Sequence, residues 1–362
     1  MRNIIAILVT SALIMQGCSP RLEPQGRSIV MSASTGDAFI DGVVESKAGG
    51  DVSGVPYAGN PSTNNVLDAV LWLSYDAGSY SHDPALPQNL PCAVTMNYTS
   101  SAPADIKHDG QLLLYPIPAD PNYDEVGDNV YCVGFSPSAG WGEMSAVKVS
   151  SASHAINGSE DLMFADQMVG SYSRNFGTQN FKHLLTWVKI NLSTTSLKAA
   201  GVWGDVESLE IVSPDRTVSV GFSETLRDGS PQASVVSYAD GPDEFQLSLP
   251  ANSSLSVTTK MFGQVFCSPP APAAQNAAGK YEYQTGNQGG LGYIIRVRTK
   301  NIPQKEVFVK LKKEDNITDI ESADYAVGKL FVLNLHFNEV AVVEGVCTLR
   351  QWDDQNSDIY LQ

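Results

Sequence analysis

Positive charge is scarce in this chain. Its 362 residues carry 23 Lys and Arg against 39 Asp and Glu, which leaves a formal net charge of −16. A phosphate backbone is held by clustered cations, so this balance excludes nucleic acid as a partner. Charged residues of both signs make up 17%, below the roughly 25% usual in soluble domains. Histidine and cysteine are also sparse, at 5 each, and scattered. No CxxC pair or His/Cys cluster has the spacing of a zinc site. No G-x-S-x-G elbow and no Cys–His–Asn arrangement accompanies the histidines. These absences argue against an enzyme, a resident metal and a cofactor. What the chain does have is a 43% hydrophobic content, enough for real cores. Its length fits two domains better than one.

The N-terminus has the layout of an export signal. Met1-Arg2-Asn3 is a short cationic start, and Ile4 to Met15 is an apolar run too short for a permanent membrane span. Gly17 then precedes Cys18. The pattern resembles a bacterial lipoprotein signal, with Met15 and Gln16 where Leu and a small residue are usual. On that reading residues 1–18 end at a lipidated Cys18, and 19–27 form a polar tether. Each buried CH₂ of an acyl chain adds roughly 0.8 kcal/mol, so several chains on one Cys make a stable anchor. An ordinary secretory signal followed by an unrelated Cys is the alternative. The other cysteines are Cys92, Cys132, Cys267 and Cys347. In an exported chain they can pair, most simply Cys92–Cys132 and Cys267–Cys347, or stay as buried thiols in strands.

Beyond the tether the pattern is one of short strands punctuated by Gly, Pro, Asn and Asp. Ser28–Ser34 reads as the first strand. Val66–Tyr75 is clearer, with Leu67, Ala69, Leu71, Leu73 and Tyr75 on one face at period two. Asn129–Phe135, the long run Phe181–Thr194, Gly292–Lys300, Lys329–Phe337 and Val340–Trp352 continue the style. A helix is expected only at Glu160–Val169, from apolar spacings of three and four. Pro269 to Gly279 reads as a loop. The whole predicts an all-β chain of two sandwiches, residues 28–198 and 199–362.

Several of these segments together resemble the fimbrillin family of Bacteroidales pilins and adhesins. They are Leu67-Asp68-Ala69-Val70-Leu71-Trp72-Leu73; Tyr115-Pro116 followed by Val130 to Pro137 and Gly140-Trp141; Asp161-Leu162-Met163-Phe164-Ala165 followed by Asn180-Phe181-Lys182-His183-Leu184-Leu185; and the terminal strand Val340–Trp352. The resemblance implies two tandem transthyretin-like β-sandwiches and export as an outer-membrane lipoprotein. It also implies assembly into a surface fimbria as anchor, tip or stalk. The partners it implies are other fimbrial subunits, through strand exchange or strand addition, and a host or bacterial surface receptor. In stalk members an Arg-specific protease removes the first strand and opens a groove for a donor strand. Arg21 and Arg27 are the only arginines between Cys18 and Arg174, and both precede Ser28–Ser34. Cleavage at Arg27 would therefore release the chain from its lipid and keep the first strand. An uncut chain would stay anchored.

The remaining candidates have plainer readings. His183 reads as a structural, hydrogen-bonding histidine. Asp120 to Glu125 and Asp353 to Asp358 alternate oxygen ligands as calcium loops do, but lack the Gly and the terminal Glu of such loops. Asn97, Asn157, Asn191, Asn252 and Asn316 head glycosylation sequons, for which a bacterial lipoprotein offers no use. The tail Asp353–Gln362 ends in Ile359-Tyr360-Leu361, alternating residues that suit a donor strand. The alternative function is a surface glycan-binding lipoprotein, using Trp72, Trp141, Trp187, Trp203 or Trp352 as a platform. Exposure of Trp141, Trp203 and Tyr293 decides between the two.

Overall fold

A computed structural model describes residues 32–35, 66–80, 92–97, 104–108, 129–142, 149–174, 176, 178–222, 234–285, 290–313 and 315–350. Cys18, Arg27, the tether, most of Ser28–Ser34, both acidic turns, Trp352 and the tail lie outside them. The first half contributes β1 (Ser32–Thr35), β2 (Val66–Ser74), β3 (Cys92–Asn97), β4 (Ala104–His108), β5 (Val130–Ser136), β6 (Ser151–Ala155), β7 (Met163–Gly170) and β8 (Thr178–His183). The second half starts with β9 (Thr186–Thr194), α1 (Leu197–Trp203), β10 (Val206–Ser213), β11 (Thr217–Gly221), β12 (Val235–Ala239) and β13 (Asp243–Gln246). It ends with β14 (Lys260–Cys267), β15 (Ala271–Gln275), β16 (Tyr281–Tyr283), β17 (Leu291–Thr299), β18 (Lys305–Lys310), β19 (Leu330–Phe337) and β20 (Val343–Arg350). The protein is all-β, as expected.

Seven strands of the first half close on themselves in the order β1-β4-β3-β2-β5-β7-β8. All the pairings in this ring are antiparallel except one. β1 runs antiparallel to β4 but parallel to β8, with Ala33 opposite Gln179 and Thr35 opposite Phe181. The period-two reading of β2 holds for Ala69, Leu71 and Leu73, whereas Tyr75 falls beyond the strand and is exposed. Ala69, Leu71 and Leu73 are buried on one face and Val70 and Trp72 on the other. The second set packs outward with Val133, Phe135 and Phe164 against the three-stranded sheet β12-β11-β6, through Val218, Val220 and Phe222.

The second half is a sandwich. One sheet has the order β14-β9-β19-β20; the other is built on β13-β10-β17, with β18 on the far edge of β17. Val188, Ile190 and Leu192 of β9 meet Leu209, Ile211, Ile295 and Val297 across the core, with Phe331, Leu333, Leu335 and Phe337 beside them. α1 starts at Ser196, whose hydroxyl caps the Ala199 amide. It tucks Trp203 against Phe337, and the Trp203 indole donates to the Asn338 carbonyl at 2.8 Å.

Three readings of the sequence need correction here. The run Phe181–Thr194 is two strands. β8 closes the ring, whereas β9 lies between β14 and β19 in the second half's sheet. Pairing therefore puts β9 with the later residues, ahead of the expected break at 198. Glu160–Val169 holds no helix. β7 occupies it, and a bulge between its pairings to Cys132 and Gly134 shifts the side-chain alternation there. The Pro269–Gly279 stretch is also partly strand. β15 sets Ala271 and Pro272 against β17, and the Pro272 carbonyl accepts from the Gln284 amide.

Gly292 on β17 shows how tightly this sandwich is built. A Cβ there would collide with the Val309 carbonyl oxygen on β18, and backbone cannot swing aside as a side chain can. Gly292→Ala should cost about 1–3 kcal/mol, the usual penalty of overpacking. Urea unfolding with an unchanged slope checks it.

Candidate functional site

The closing seam of the ring is the structural feature with functional potential, because a single short strand completes it. Among the described residues, β4 meets β1 over Ser32 and Ala33, whereas β8 runs beside β1 from Ser32 to Thr35. Both neighbours would present unpaired backbone groups if β1 left, the condition under which a sheet edge accepts another strand.

His183 and Asp161 lie at one end of this region. Leu184 donates its amide to the Leu162 carbonyl at 2.8 Å, which draws the two motif segments together. His183 Nδ1 then lies 2.7 Å from Asp161 Oδ2, and both side chains are buried. Asp161 Oδ1 has no hydrogen-bond partner. Burial raises the Asp161 carboxyl above its ordinary value, and the neighbouring His183 only partly opposes the rise. The arrangement is a buried, hydrogen-bonded pair, as expected for His183. Among the described residues no group of three or more His, Cys, Asp or Glu stands together to hold a metal.

The cysteines do not pair as the simplest sequence reading has it. Cys92 on β3 sits opposite Leu71, and Cys132 on β5 sits opposite Leu73, so β2 lies between them. Two strand spacings are roughly 9.6 Å, beyond the roughly 7 Å that a disulfide tolerates. Cys267 on β14 and Cys347 on β20 occupy opposite edges of one sheet and are free thiols. Burial pushes the Cys267 thiol well up and the Cys347 thiol up to about 12. Cys132 is buried too.

Among the described residues, the aromatic side chains that a sugar platform would need lie in the cores. Trp141, Trp203 and Tyr293 are 2%, 0% and 0% exposed. Trp141 stands between Gly140 and Gly142, a setting that reads as an exposed loop. Positive φ angles at Gly140 and Gly142 instead fold its loop back onto Phe135, at 4.7 Å between ring centroids. Trp72 and Trp187 are buried as well.

Sequence reasoning missed Gln179. It is fully buried on β8, and neither its side-chain oxygen nor its nitrogen has a partner. Only the pairing of β8 with β1 makes it noticeable.

Two outcomes follow from these groups. Cys267 and Cys347 should resist alkylation in the folded chain and react after denaturation, with no 267–347 disulfide in non-reducing peptide mass spectrometry. For the buried pair, Asp161→Ala should cost about 1–3 kcal/mol by leaving His183 Nδ1 without its acceptor. Asp161→Asn keeps that acceptor. A raised carboxyl pKa favours the fold at low pH, and this contribution fades as pH rises through the folded value. The stability of Asp161→Asn relative to the parent should therefore improve as pH rises above about 4, in denaturant titrations across pH.

No family model matches the chain, and no curated protein matches it. Similar solved structures include a candidate cell adhesion protein from Bacteroides uniformis, 13% identical, covering 91% of this chain and 100% of that one, at a TM-score of 0.45. A second candidate cell adhesion protein, from Bacteroides ovatus, is 12% identical over 90% of this chain and 98% of its own, with a TM-score of 0.43. The tip fimbrial protein Mfa3 of Porphyromonas gingivalis is 8% identical over 80% of this chain and 95% of its own, with a TM-score of 0.31.

Proposed function

We propose that this chain is a fimbrillin-like surface lipoprotein, a structural and non-catalytic subunit of fimbriae acting in pilus assembly and cell adhesion. Cys18 carries the lipid that holds it to the outer membrane, and other fimbrial subunits join it by strand addition or exchange. The observation that carries this reading is the ring of the first half, closed by the four-residue β1 between β4 and β8. A strand that completes a sheet and shares few residues with one neighbour is one that a second chain's strand can replace. The main-chain hydrogen bonds are common to any occupant, and alternate side chains set the preference. The net charge of −16 suits a surface bathed in solvent.

Arg27 precedes β1, so a cut there separates the chain from Cys18 and leaves β1 in place. This favours an anchor or retained adhesin over a stalk subunit opened by proteolysis.

Mass spectrometry of the mature N-terminus from native cells tests the reading. Acylated Cys18 is the expected result, and a start at Ser28 would indicate release. An unprocessed Met1 in the cytoplasmic fraction would overturn the surface assignment.

A further inference from the structure

Gln179 stands at the seam that β1 closes, and its side chain is in the wrong chemical company. It lies two residues from Phe181, so both side chains occupy the same face of β8. Phe181 is buried, and its ring packs beside Gly134 of β5 and the Ala165 side chain of β7, which places this face inside the ring. Gln179 is therefore an interior amide, fully buried, with donor and acceptor both unpartnered.

The strands on either side show where a partner would come from. On the β7 side the pairing with β8 reaches only Phe181 and stops short of Gln179. Beyond it the two bulged residues of β7 accept hydrogen bonds from elsewhere, although the Gln167 Nε2 has no partner. Asp166 accepts from the amide and hydroxyl of Ser234, and Gln167 accepts from the Gly78 amide and the Tyr80 hydroxyl. On the other side, the register of β1 puts Ala33 opposite Gln179. Residue 33 is alanine, which brings no hydrogen-bonding side-chain atom to this register. Partnered residues of neighbouring strands share a face. A Ser, Thr or Asn at this register offers both a donor and an acceptor on the side where Gln179 needs them.

We infer that Gln179 selects the strand occupying the β1 position, favouring an extended segment with Ser, Thr or Asn at the register of Ala33. The inference rests on the reading of the β1 position as a strand-accepting site and names the chemistry of the strand that fits it best. The native β1 is then a serviceable occupant that a better-matched strand outcompetes.

A double-mutant cycle on the full chain tests the selection, with Ala33→Ser, Gln179→Leu and the two combined, read by thermal unfolding. Ala33→Ser should raise Tm by about 2 °C in the parent and give no rise with Gln179→Leu. Equal shifts in both backgrounds would overturn the role of Gln179. A second arm offers the full chain fluorescent peptides copying residues 28–38, with Ala or Ser at position 33. The Ser peptide should be retained about tenfold better by the parent and no better by Gln179→Leu. Coupling in the cycle with neither peptide retained would uphold Gln179 as the residue that reads β1 and overturn strand exchange, so the two failures are distinguishable.

Discussion

The two halves of this protein are held by one stretch of backbone, Leu184-Leu185, that passes from one sheet system to the other without a linker. β8 ends at His183 in the ring and β9 begins at Thr186 in the sandwich. The two leucines between them are buried and anchored on three sides. Leu184 donates to the Leu162 carbonyl and accepts from the Tyr238 hydroxyl, and the Leu185 carbonyl accepts from the Gly328 amide. Their side chains join Trp187, Phe266, Leu330 and Val332 in the same cluster as Phe135 and Phe164 of the ring. A short, buried, hydrogen-bonded connection of this kind cannot behave as a flexible tether, because freeing it would expose apolar surface and orphan backbone groups together. The three-stranded sheet reinforces it, since β6 from the first half pairs with β11 from the second.

Much of the fold was legible where a strand alternates cleanly. β2 and β19 could be read directly, because apolar residues recur at every second position along them. β7 was misread as helix because its bulge adds a residue between the positions that face Cys132 and Gly134, turning a spacing of two into three. β15 was hidden by proline, which reads as a breaker. In the fold Pro272 serves through its carbonyl and needs no amide. The division near 198 followed the end of a long β run. No periodicity rule reveals that such a run changes sheets in its middle, which pairing alone decides.

The candidate site was legible in unequal parts. The segments around Asp161 and His183 stood out by resemblance, and their hydrogen bond is the physical reason both side chains can be buried. The aromatic residues misled because a Trp between glycines reads as a loop tip, whereas the positive φ angles around Trp141 let the loop turn inward. Cysteine parity suggested disulfides. Strand order forbids them, since each suggested pair is separated by at least one intervening strand.

The ring and the sandwich also differ in where they are weak. In the sandwich, β9 lies between two long strands, and β19 runs beside it from Leu330 to Phe337. In the ring, the described pairing of β1 with β4 covers Ser32 and Ala33. Local opening is favoured where few backbone pairs hold an element, and among the described pairings of the ring β1–β4 is the shortest. Opening there leaves β1 lying along β8, in register with the unpartnered buried amide of Gln179. The same neighbour that holds β1 longest is thus the one that gains most from its replacement. Under the proposed strand exchange, an exchangeable position needs an occupant that is both loosely bounded and chemically imperfect, and these two features fall on the adjacent edges of β1.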